Sequence, residues 1–239
     1  MIEWLLLPID PSRLHEVGFN VAWHGRLMVL AWAFLLPIGI IIARFFKIMP
    51  RQDWPREIDN LAWWRSHLYL QISGGVVVLV ALLLILTNPG RVFQIHPHAV
   101  LGWTVVVLCL LQFIAGIYRG TKGGPTEIGA DGSMHGDHYD MTKRRRIFEY
   151  VHKSAGYGAI LLSIGTIFTG LWDSNAPRWM WICIALWWCV LAVVFIRLQA
   201  KGRTIDTYQA IWGPDPVHPG NRMKPIGPGI RRLNEEADE

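Results

Sequence analysis

Between Ala99 and Tyr118 the chain runs for twenty residues in which the only polar groups are Thr104, Gln112 and the tips of Trp103 and Tyr118. A helix of that length crosses a bilayer, where each backbone group must be satisfied within its own segment. The pattern recurs. Apolar spans can be drawn at roughly 18–45, 61–87, 97–118, 148–172 and 178–199, and together they use most of the 239 residues. No separate soluble catalytic domain fits beside them. A chain that is 52% hydrophobic with 13 tryptophans has the composition of a membrane protein. The expected fold is an all-α membrane protein of five transmembrane helices, with a four-helix bundle core and one peripheral helix.

Charge placement orients the spans. Loops 1–2 and 3–4 hold eleven basic residues, from Arg44, Lys47, Arg51, Arg56 and Arg65 to Arg119, Lys122, Lys143, Arg144, Arg145 and Arg146. Loops 2–3 and 4–5 hold one each, Arg91 and Arg178. The positive-inside rule predicts an outer N-terminus and a cytoplasmic C-terminus, which five spans also require. The net charge of +5 is a topology signal, and no nucleic-acid partner is needed to explain it. Residues 1–17 read as an outer interfacial segment, 18–199 as the transmembrane domain, and 200–239 as an irregular cytoplasmic tail without a core. The N-terminus lacks the basic start of a signal peptide. Cys109, Cys183 and Cys189 all fall inside spans and have no metal or disulfide spacing.

The chemistry is carried by histidines. His24, His67, His98 and His152 each lie near the start of one of four consecutive spans, and the fifth span has none. Intramembrane ionisable groups are costly and mark function. Consecutive spans run antiparallel, so His24 and His98 share the outer level while His67 and His152 share the inner one. Two imidazoles at one level suit the two axial positions of a haem, whereas zinc wants three or four ligands together. Two haems b per chain are therefore expected. With each histidine about six residues inside its span, a rise of about 1.5 Å per residue leaves roughly 20 Å between the iron levels. Gly102 and Gly156 follow His98 and His152 at i+4, and Gly116 and Gly170 lie at i+18. They put a flat groove beside each ligand. His96 is a shallower alternative to His98. His135 and His138 lie among aspartates in loop 3–4 and read as solvated, as do His15 and His218.

The ordered stretches HGRLMVLAWAFLLPIGIIIAR (24–44), WWRSHLYLQISG (63–74), HAVLGWTVVVLCLLQFIAGIYR (98–119) and IFEYVHKSAGYG (147–158) resemble the cytochrome b561 family. The likeness is greatest to its bacterial members and to the membrane part of proteins that join it to a DOMON domain. The resemblance implies the same histidine pairing, and single electrons passing across the membrane, often from ascorbate inside to monodehydroascorbate or a ferric acceptor outside. No DOMON domain is expected ahead of the core. Basic residues at the inner mouth, here Arg65, Lys153, Arg144, Arg145 and Arg146, are implied to meet an anionic donor. The expected partners are membrane lipid and a redox donor or acceptor: a quinone, an ascorbate-like anion or a redox protein. A homodimer or larger complex and a bacterial inner membrane complete the expectation. The alternative function is a haem-b, quinone-reactive membrane anchor subunit of a larger respiratory complex.

Overall fold

The computed structural model of the chain describes residues 2–89, 94–124 and 130–233, so Arg91 lies outside the described residues. A short helix α1 (Ile2–Leu6) precedes five long ones: α2 (Phe19–Phe45), α3 (Ala62–Leu86), α4 (Pro97–Ile117), α5 (Lys143–Asp173) and α6 (Arg178–Ala200). Each is long and apolar enough to cross a membrane. A six-residue helix α7 (Thr207–Trp212) and a 3-10 turn at Pro219–Arg222 follow. Among the described residues there are no strands, only isolated bridges at Pro8–Pro177 and Ile205–Arg231.

Helix α5 starts five residues before the expected span. Thr142 caps it, its hydroxyl accepting from Arg145 N at 3.3 Å. Glu149 then bridges Arg145 and Lys153, one turn to either side, so the basic run stays helical. At 31 residues α5 is about 46 Å long and exceeds the hydrocarbon thickness.

Helix α2 widens into a π-turn at Leu30–Leu35, just before Pro37. Proline has no N–H to offer the carbonyl four residues back, at Ala33. Trp187 of α6 fills that gap, donating its indole N–H to Ala33 O at 2.6 Å while its ring stacks on Phe34 at 4.6 Å. Gly39 and Gly74 let α2 and α3 approach closely. A Cβ on Gly39 would come within 2.5 Å of Gln71, and one on Gly74 within 2.6 Å of Leu36.

Contacts divide the chain into two units: Met1–Gly39, Leu68–Cys109 and Gly158–Ile196, then Ile40–His67, Leu110–Tyr157 and Arg197–Glu239. In the first, the N-terminal segment is tied to the α5–α6 turn. Buried Asn175 donates to the carbonyls of Asp10 and Arg13, and Arg13 donates to Trp172 O. In the second, the tail proves not to be coreless. Tyr208, Ile211 and Trp212 are buried with Trp63 and Met141, flanked by Ile42, Tyr139 and Ile226. Buried Arg44 fastens the chain further on, donating to Tyr157 Oη (2.9 Å), Gln199 Oε1 (2.8 Å) and Pro228 O (2.7 Å). Lys47, pushed down to about 7 chiefly by burial, donates to Ile205 O. The proline- and glycine-rich composition disguised a segment whose Tyr208, Ile211 and Trp212 side chains point into one cluster.

Candidate haem sites

The first unit holds His24 and His98, and the second holds His67 and His152. His24 stands on α2 and His98 in the first turn of α4, with ring centres 6.3 Å apart and planes at 88°. Two imidazoles on opposite sides of one metal, at about 2 Å per bond, have their centres about 6 Å apart. His24 Nδ1 lies 2.9 Å from Ala81 O on α3, and His98 Nδ1 lies 2.9 Å from Thr166 O on α5. Such contacts fix ring orientation and tautomer, leaving the opposite nitrogen to bind metal. The donor set and spacing fit an iron held by two histidines. Among the described residues no group of three or more His, Cys, Asp or Glu could hold a metal ion.

On the other pair, His67 and His152 lie within electrostatic reach of each other. Phe148 stacks on His152 at 5.1 Å, and Trp64 lies 6.3 Å from His67. The Gln112 side chain is 2.6 Å from His152 Nδ1. The predicted groove glycines leave room. A Cβ on Gly102 would meet only Thr166 Cγ2 at 3.8 Å, and one on Gly156 only Gln112 Oε1 at 3.8 Å. Gly170 behaves otherwise, for a Cβ there would press on His98 Cε1 at 2.8 Å. It is the seat of the His98 ring.

His96 stacks on His98 at 6.1 Å and turns its Nδ1 to Asp173 at 3.0 Å. His15 meets Ser174 O, and His218 meets Tyr139 Oη. Loop histidine His138 is not solvated as expected. It is 2% exposed, wedged between Tyr208 and Trp212, with Nε2 3.8 Å from Glu149 Oε1. Burial, with the nearby positive charge of Arg145, pushes it down to about 3. His135 does face solvent, beside Asp140.

The basic residues are dispersed by their partners. Glu149, 4% exposed, binds Arg145 at 3.0 Å and Lys153 at 2.7 Å, and Arg144 donates to Tyr118 O. Arg65 lies in the first turn of α3. Arg146 and Lys143 line an open groove of about 410 Å³ with Ile147, Tyr150, Val151 and Ile226. Sequence reasoning missed the carbonyls of Ala81 and Thr166, which have no side-chain signature. Gln112 did have one, as the only amide in its apolar run.

Residues 23–126 match the profile of the family described as eukaryotic cytochrome b561, a range holding His24, His67 and His98 but not His152. The chain is 28% identical over 188 residues to a cytochrome b561, DM13 and DOMON domain-containing protein of Arabidopsis thaliana, covering 75% of this chain and 18% of that one. It is 28% identical over 201 residues to an Arabidopsis cytochrome b561 and DOMON domain-containing protein, covering 78% and 42%. It is 27% identical over 150 residues to ferric-chelate reductase 1 of Bos taurus, covering 62% and 22%. The chain thus spans less than half the length of each. No solved structure matches it. Five apolar helices make the chain a multi-pass membrane protein, and over residues 23–126 it is similar to the family described as eukaryotic cytochrome b561.

Proposed function

We propose that the chain carries two haems b, one held by His24 and His98 and one by His67 and His152, and passes single electrons between a donor and an acceptor on opposite sides of the membrane. The observation that carries this reading is the outer pair, whose ring centres lie 6.3 Å apart with each Nδ1 turned to a carbonyl. When bound, each haem would supply an iron that gains and loses one electron. The protein does the rest. Ala81 O and Thr166 O accept from Nδ1–H, hold each ring in one tautomer and make its other nitrogen a stronger donor. Gly102 and Gly156 keep helix surface open beside a ligand in each pair. The loop charges support a cytoplasmic C-terminus, with the His67 and His152 level facing that side. Relatives named ferric-chelate reductases make a ferric chelate a reasonable class of outer acceptor.

Pyridine haemochrome analysis of the purified full chain tests this, with about two haems per polypeptide expected. His24→Ala and His98→Ala should each abolish one common haem signal, and His67→Ala and His152→Ala the other. A single haem, or a signal lost jointly on mutating His24 and His67, overturns it.

A further inference from the structure

The four histidines are not held alike. A peptide carbonyl can only accept, so Nδ1 of His24 and of His98 must carry the proton, and Nε2 keeps its lone pair. His152 faces a side-chain amide instead, and an amide can present either an oxygen or an NH2. The Gln112 amide reaches His152 Nδ1 at 2.6 Å, and its two orientations have opposite consequences for the ring.

With its nitrogen toward the ring, Gln112 donates to His152 Nδ1 at 2.6 Å and to His152 O at 3.1 Å, and its oxygen accepts from Gly156 N at 3.2 Å. All three groups are satisfied. That arrangement leaves the imidazole proton on Nε2, the nitrogen iron needs. With its oxygen toward the ring, Nδ1–H donates to Oε1 and Nε2 is open to iron, but Oε1 then faces the His152 carbonyl at 3.1 Å and the amide nitrogen faces Gly156 N at 3.2 Å. The histidine tautomer and the amide orientation are therefore one variable.

We propose that Gln112 is the positioning residue of the second haem: with Nε2 of His152 given to iron, the Gln112 amide oxygen, 2.6 Å away, accepts from His152 Nδ1–H. This rests on the reading of His67 and His152 as haem ligands. The outer ligands lean on backbone that mutation cannot change, whereas the His152 partner is a replaceable side chain. The donor strength of His152 is set by that partner, as is general for outer-shell groups on metal-bound histidine.

The test is a redox titration of the purified full chain with haem bound, followed in visible absorbance and by low-temperature EPR. In Gln112→Glu a carboxylate draws harder on Nδ1–H, makes His152 a stronger donor and favours ferric iron. At a fixed potential the ferric-to-ferrous ratio of one haem should rise about tenfold, a midpoint lowered by about 59 mV for one electron. Gln112→Leu removes the acceptor and should shift the same haem the opposite way, with its EPR g-values displaced. The shifted signal must be the one that His152→Ala abolishes, while the other haem stays at its wild-type midpoint and reports an intact fold. Unchanged midpoints in both variants, equal shifts of both haems, or loss of both haems overturn the proposal. A wild-type chain without the His152-dependent haem would instead remove the functional reading beneath it.

Discussion

At the scale of single residues, the position most sensitive to a small change is Gly170. A methyl there would stand 2.8 Å from His98 Cε1 and 3.1 Å from Nδ1, closer than side chains tolerate. The ring would have to turn away from Thr166 O and from Thr169 Oγ1, which lies 3.4 Å from Nδ1. Gly170→Ala should therefore cut the haem signal that depends on His98 by more than half while leaving the other in place. Haem absorbance per polypeptide measures it, and full retention would show that the ring has slack. The histidines stood out in the sequence because imidazoles recurring one per span run against the cost of placing polar groups in lipid. The glycines were legible as a spacing, but not in their partners. Gly170 was read with His152 of its own helix, yet it serves His98 of another. A one-dimensional interval shows which residues share a face, and says nothing of which helix that face meets.

At the scale of elements, the spans were legible because twenty apolar residues have few alternatives in lipid. The connections were not. Loop 3–4 and the tail look polar and glycine-rich, and their order depends on a few large residues far apart in sequence: Trp63, Met141, Tyr208 and Trp212. The polar residue inside that cluster makes its order pH-dependent. His138 sits at about 3 in the folded protein, against an ordinary value of about 6.5, because burial and the charges of Arg145, Lys153 and Lys122 outweigh Glu149. Between those values a detached loop takes up a proton that the docked loop refuses. Docking is therefore fully favoured above about pH 6.5 and weakens as pH falls toward 3. Hydrogen exchange at Thr207–Trp212, corrected for intrinsic rate, should accelerate from pH 7 to pH 5. In His138→Phe, which keeps the ring contacts, that acceleration should vanish. An identical pH profile in the variant would place the sensitivity elsewhere.

At the scale of the whole molecule, the excess of Lys and Arg in two loops carries the proposed orientation, but a sum of charges does not say which of them a ligand can meet. Glu149 occupies Arg145 and Lys153, Tyr118 O occupies Arg144, and Asp59 holds Lys122. Removing Lys153 would strip one of the two partners from a buried carboxylate, so its loss would report on folding as well as on steering. Lys143 and Arg146 are better placed to meet an anion. They line the groove together with Ile147, Tyr150 and Ile226, in the unit that carries His67 and His152. Joint replacement Lys143→Gln and Arg146→Gln should slow reduction of the His152-dependent haem by an anionic reductant several-fold at low ionic strength. The difference should fade with added salt, as the screening length contracts from about 30 Å at 0.01 M to about 3 Å at 1 M. Reduction by a neutral quinol gives the control and should be unchanged. Stopped-flow rates with both reductants at both salt levels decide the matter. Equal slowing of anion and quinol would mean that the double variant had altered the haem itself. Rates equal to wild type at low salt would leave these charges a role in orientation alone, and a small-anion donor would then have no support in this chain.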